Sequence, residues 1–243
     1  MVESCKLCGK QAQLVGCSHV IPQWMYAMLQ ALLPQDSRPM KISSSHKNEF
    51  EKKSPTGFYG KFVCQACENL FSRWDDHAAI VLRRTPEMTS NGWGYGSYKY
   101  GDLTRFYLSV LWRASACGQA FFETVDLKSK GAKLATALLS TDDACLSAFD
   151  IWPSCSSHLL AHGVLTPIEV TIESVPYWQI YMPRFQVLIK IVDGPGAPCV
   201  QPHKLQPNPR LCLREKTFTE FNEETTAMQV FKANLEKKNA RRR

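Results

Sequence analysis

The sequence predicts an α+β protein: an N-terminal zinc-clamped finger, then a helical segment, then a small antiparallel β-sheet. Three observations carry this. Two CxxC pairs, Cys5/Cys8 and Cys64/Cys67, stand far apart in the first third of the chain. Apolar residues recur at helical spacing in 23–33, 68–84 and 102–122. After residue 165 the pattern changes to alternation, with Ile168, Val170 and Ile172 separated by polar residues, followed by WQIYM and FQVLIKIV.

The cysteines come first because they constrain the rest. Zinc favours tetrahedral thiolate coordination, and a CxxC turn supplies two of the four corners. Two such pairs complete a closed site in which zinc holds structure and does no chemistry. The remaining six cysteines (Cys17, Cys117, Cys145, Cys155, Cys199 and Cys212) are dispersed, and free cysteine packs as a small hydrophobe, so these read as core. MVESCKLCGK has no apolar stretch of signal-peptide type. No run of about twenty apolar residues offers a membrane span. The compartment read from this is the cytoplasm, where clustered cysteines bind metal more often than they form disulfides.

The elements follow in order. Residues 1–16 read as a knuckle with a short hairpin, and Cys17–Pro22 as a strand-like piece. The segment 23–33 is a helix ended by Pro34. Residues 35–57, rich in serine and lysine, read as a loop, and Gly60–Val63 as a strand entering the second knuckle. That knuckle opens a helix through ENLFSRWDDHAAIVLRR, closed at Pro86. Residues 88–101, ending in NGWGYGSYKYG, read as a Gly/Tyr-rich loop, either a plain surface loop or one that stacks on bases. Asp102 is the expected cap of the helix 102–122. Further helices are expected at 131–139 and 142–150, a loop at 194–209, and a polar terminal helix at 218–238. The domain division is 1–87 for the finger and 88–243 for the helical and β region.

Zinc joining the two knuckles brings His19 near the first turns of the second helix, which carries Glu68, Asn69, Ser72, Asp75, Asp76 and His77. Glu68, Ser72 and Asp75 share a helix face by their spacing. A neutral histidine facing carboxylates suits metal-assisted phosphodiester hydrolysis. The carboxylates hold a divalent ion, and the imidazole takes a proton from the attacking water.

The order CxxC, His19-Val20-Ile21-Pro22, loop, then CxxC opening a helix resembles the HNH endonucleases with a ββα-metal (His-Me) finger, in the form closed by two zinc knuckles. The resemblance covers residues 1–85. It implies His19 as general base and Asn69 as the positioning residue. It also implies a catalytic Mg²⁺ or Mn²⁺ on Glu68 with Asp75, or with Asp76 or His77 in its place. It departs from the family at two places. Glu68 stands where the family commonly has a metal-binding histidine, and Ser18 stands where an acidic or histidine ligand often precedes the base. The finger is therefore either an endonuclease acting on DNA (or RNA) with a variant ligand set, of the kind found in mobile elements and phage defence, or a non-catalytic zinc module that binds nucleic acid or a partner protein.

The net charge of +7 permits an acidic partner. Arg73, Arg83 and Arg84 are the expected phosphate contacts, with Arg105 and Arg113 as further groove candidates. The basic tail ending in Arg241-Arg242-Arg243 is either a solvated end or a phosphate-contacting arm.

Overall fold

The computed structural model describes residues 2–32, 57–155 and 164–215. Its elements are β1 (Glu3–Ser4), β2 (Gln11–Ala12), β3 (Ser18–His19), α1 (Gln23–Leu32), β4 (Tyr59–Gly60), α2 (Gln65–Leu82), β5 (Glu87–Thr89) and β6 (Gly92–Ser97) in the first part of the chain. Then come α3 (Tyr100–Ala116), α4 (Ser129–Leu139), β7 (Asp150–Cys155), β8 (Leu165–Ile172), β9 (Val175–Met182), β10 (Phe185–Lys190) and β11 (Arg210–Glu215). The class is mixed α+β. Among the described residues, no helix is long and apolar enough to cross a membrane.

The sheet is larger than the sequence suggests. Seven strands run in the order β5-β6-β11-β7-β10-β9-β8, and the pairing of β11 with β7 is parallel, so the sheet is mixed. Successive hairpins β8-β9 and β9-β10 set one half of it. The return of β11 from the far end of the chain sets the other half, pairing with both β6 and β7. The expected Gly/Tyr loop at 88–101 is largely strand: β5 and β6 pair antiparallel. Glycine lowers strand propensity but permits close backbone approach. At Gly92, with φ of 119°, a Cβ would fall 2.4 Å from the carbonyl oxygen of Leu213.

One buried cluster runs from Cys5 to Leu213. It joins the inner face of the sheet, carrying Trp178, Ile180, Val187 and Ile189, to α2, α3 and α4. The helix α3 is buried on every side from Gly101 to Ala114. Its charged residues therefore have to be paired, since burial of an unpartnered charge costs several kcal/mol. Asp102 is not the cap expected of it. The helix begins two residues earlier, and Asp102 accepts from Arg73 Nη2 at 2.7 Å. The helix also stops at Ala116, and the segment 120–122 forms a separate 3-10 turn. The short helix expected at 142–150 is a 3-10 helix over Asp143–Ala148. A second, smaller cluster of Trp152, Tyr177, Leu188 and Ala197 covers the outer face of the sheet.

The loop expected at 35–57 and the helix expected at 218–238 lie outside the described residues, apart from Gly57, as does the basic tail.

Candidate metal centre and the residues around it

Three backbone contacts and one amide–sulfur contact bring the two CxxC segments together. The amide of Lys6 donates to Phe62 O at 2.9 Å, and that of Val15 to Val63 O at 2.9 Å. An isolated bridge joins Leu14 to Cys64. The amide of Cys64 donates to Cys5 Sγ at 3.3 Å. Cys64 is also the residue that starts α2, so the second pair sits on a helix first turn while the first pair sits on a hairpin turn.

The result is a single cluster. The four Sγ atoms of Cys5, Cys8, Cys64 and Cys67 lie within 4.8 Å of one another. Cys5 Sγ is 3.7 Å from Cys67 Sγ, and Cys8 Sγ is 3.8 Å from Cys64 Sγ. A tetrahedron built on a Zn–S bond of about 2.3 Å has sulfur–sulfur edges of about 3.8 Å. These two distances therefore already match a zinc coordination shell. Cys5, Cys64 and Cys67 are buried and Cys8 half-buried, which closes the site to substrate.

The thiols differ in acidity. Burial pushes Cys5 upward, but the backbone amides of Cys8, Cys64 and Leu7 outweigh it and bring the thiol to about 7. Burial raises Cys67, and the neighbouring thiols raise it further. Cys8 is also raised, chiefly by burial. Crowding four sulfurs this closely is unfavourable until a cation neutralises the thiolates.

The strand β3 pairs with β4, Ser18 opposite Gly60 and His19 opposite Tyr59. His19 is half-buried, and its ring lies 5.8 Å from that of Tyr59. Ser18 is fully buried, and its hydroxyl donates to Glu68 Oε2 at 2.6 Å. The residue before His19 thus touches the first turn of α2, next to the four-cysteine cluster.

Asp75 lies further along α2, and both its oxygens are engaged. Arg113 of α3 donates from Nη1 to Oδ2 at 2.9 Å and from Nη2 to Oδ1 at 2.8 Å. Burial pushes the Asp75 carboxyl up, and the charge of Arg113 opposes that push. Arg113 also donates from Nη1 to the carbonyl of His19 at 3.0 Å, and its guanidinium lies 5.0 Å from the Phe71 ring centroid. Among the described residues, the four thiols are the one group of three or more Cys, His, Asp or Glu close enough to hold a metal.

The other expected site residues fall as follows. Asn69 is exposed, and its Oδ1 accepts from Gln65 Nε2 at 2.8 Å. Arg73 is largely exposed but paired with Asp102. Arg83 and Arg84 are exposed at the end of α2, and Arg84 Nη1 donates to the carbonyls of Tyr95 and Ser97. Arg105 and Arg113 do not line a groove. Both are buried, Arg105 on Asp143 and Arg113 on Asp75. Of the six dispersed cysteines, Cys117 and Cys155 are buried as expected, Cys145 is half-buried, and Cys17, Cys199 and Cys212 are exposed.

Two functional pairings escape the sequence pattern. One is Arg113, a groove candidate in the sequence, which the packing of α3 on α2 pairs with Asp75. The other is His77, whose Nε2 accepts the amide of Lys99 at 3.0 Å, just where α3 begins.

No family model matches the chain. No curated protein and no solved structure matches it either.

Proposed function

We propose that this chain is a non-catalytic zinc-binding module that binds nucleic acid, with one zinc ion on Cys5, Cys8, Cys64 and Cys67. The observation that carries the zinc is the sulfur cluster itself, four cysteines from two distant segments whose Sγ atoms all lie within 4.8 Å, with two pairs at 3.7 and 3.8 Å. The binding role is supported by the net charge of +7 and by exposed Arg83 and Arg84 at the end of α2. The non-catalytic reading is supported by the commitments of the acids: Asp75 serves Arg113, and Glu68 accepts from Ser18. Zinc supplies structure here, joining the hairpin turn to the helix that carries those arginines. A partner protein is the competing occupant. Binding of DNA or RNA to the zinc-loaded protein, measured by fluorescence anisotropy over a salt series, tests the role. Absence of binding at low salt sinks it, because phosphate contacts are strongest there.

One observation favours a second reading, that of an HNH-like endonuclease. β3 pairs antiparallel with β4 although α1 lies between them in the chain, and α2 follows β4, with His19 on the strand and Glu68 on the first helical turn. On this reading Mg²⁺ or Mn²⁺ would bind Glu68, His19 would act as base and Asn69 would position it. Incubating plasmid, single-stranded DNA and RNA with either metal separates the two readings. Cutting that His19→Ala abolishes in a folded protein establishes the endonuclease. Intact substrate with both proteins leaves the binding module.

A further inference from the structure

Two adjoining hollows lie at the end of the sheet formed by β5, β6 and β11. The larger, about 630 Å³, is walled by Tyr98 and by residues between Pro202 and Cys212. The smaller, about 410 Å³, follows β5 and β6 from Arg84 to Ser97. Arg210 and Cys212 line both, so the two meet at β11.

The charge of this groove is one-sided. The described residues of the larger hollow include Lys204 and Arg210 and no carboxylate. The smaller adds Arg84 against a single acid, Glu87. Lys204 is occupied by Asp150. Arg210 is exposed and has no ion pair among the described residues. Arg84 is oriented from behind. Its Nη1 donates at 3.2 Å to Tyr95 O and at 3.0 Å to Ser97 O, leaving Nε and Nη2 uncommitted among the described residues. The guanidinium crosses β6 at Gly96, where φ is 82° and a Cβ would stand 3.0 Å from Nη1. A side chain there would be strained and would crowd the arginine. Tyr98 is also held, because its hydroxyl donates to the carbonyl of Gln206.

Two cations along a joined groove, with a fixed aromatic ring in its wall, suit a phosphodiester chain whose bases are free to stack. Backbone-tracking positive grooves with aromatic platforms bind single strands. A duplex is read by a helix or ribbon that protrudes into its grooves, and the hollow presents a concave surface instead. We propose that this groove binds single-stranded nucleic acid, with phosphates on Arg84 and Arg210 and a base against Tyr98. The proposal rests on the nucleic-acid-binding reading and assigns that reading a place and a strand type.

The test uses the full-length zinc-loaded protein and a labelled oligothymidylate of about twelve nucleotides, a length within the site sizes of single-strand binders. Anisotropy is followed between about 50 and 200 mM salt. Arg84→Gln and Arg210→Gln are compared with Lys130→Gln, which removes the same charge from α4. Each arginine removed should lower the slope of log K against log salt by about 0.7, the value for single strands. Lys130→Gln should bind as wild type, and a mononucleotide should compete more than tenfold more weakly than the oligonucleotide. Wild-type affinity in both arginine variants overturns the groove while leaving nucleic-acid binding in place. Equal competition by the mononucleotide or by inorganic phosphate overturns a polymeric ligand. Tighter binding of a duplex of the same length overturns the strand type. Failure of wild type to bind either form overturns this proposal together with the reading beneath it.

Discussion

Arg113 binds Asp75 through two parallel N–H···O contacts of 2.9 and 2.8 Å, and the same guanidinium reaches the carbonyl of His19 at 3.0 Å. One side chain therefore ties α3 to α2 and to β3. Its own Nε and Nη2 are also used, on Ser109 O and Ser109 Oγ. Arg113 is only 1% exposed, so the pair is dry on its arginine side.

Replacing that arginine leaves a buried carboxylate without its partner. Arg113→Met is expected to cost about 3–5 kcal/mol, the range for breaking a buried pair at one end. Arg113→Lys should recover part of the loss but not the two-point contact, because lysine is a single charge without the planar fork. Urea unfolding of the zinc-loaded proteins measures both. A loss under about 1 kcal/mol for Arg113→Met, typical of an exposed pair, would place the clamp outside the stabilising core.

His77 links pH to the start of α3. Its Nε2 must be unprotonated to accept the Lys99 amide. Burial lowers its pKa, and the cations of Lys99, Arg84 and Arg73 lower it further, against the pull of Asp102. The unfolded chain then binds the proton more readily than the folded one. The contribution is present above the ordinary value of 6.5 and is lost as pH falls from there through the folded pKa. His77→Gln should flatten that part of the stability–pH profile, and His77→Ala should cost about 1 kcal/mol at neutral pH, as loss of a helix cap does. Thermal melts across the mildly acidic range check both. An unchanged profile in His77→Gln would assign the acid sensitivity elsewhere.

Ser18 and Glu68 provide a second link between β3 and α2. Ser18 is fully buried, and its hydrogen bond is to a carboxylate. Ser18→Ala should therefore destabilise by about 1.5–3 kcal/mol, the range for bonds to charged groups, with zinc content unchanged. Loss of zinc in this variant would mean that the serine supports the metal cluster itself.

The metal centre was legible because its pattern is local: a CxxC turn presents two sulfurs whatever surrounds it, and Cys64 opens a helix visible from the spacing of Leu70, Trp74 and Ala78. The sheet was legible only in part. The strands β8, β9 and β10 are adjacent hairpins, so alternation and two-residue turns mark them. The strand β6 reads as loop because of its glycines; it is strand because β5 pairs with it on one side and β11, more than a hundred residues later, supplies the ladder on the other. The strand β7 carries Pro153 and is buried on both faces, so it has neither alternation nor a clean apolar run. The roles of Asp75 and Arg113 were hidden for the same reason. Sequence spacing puts Asp75 on the face of Glu68, but which partner crosses from another helix is decided by packing. A carboxylate expected to face a metal ion faces an arginine instead.

The central claim is the zinc tetrathiolate, and its most direct test is X-ray absorption at the zinc edge with metal analysis of the purified chain. The expected result is one zinc per chain with four sulfur neighbours at about 2.3 Å, absent in the Cys64→Ser/Cys67→Ser variant. A chain without zinc, or zinc with nitrogen or oxygen neighbours in place of these sulfurs, would contradict it.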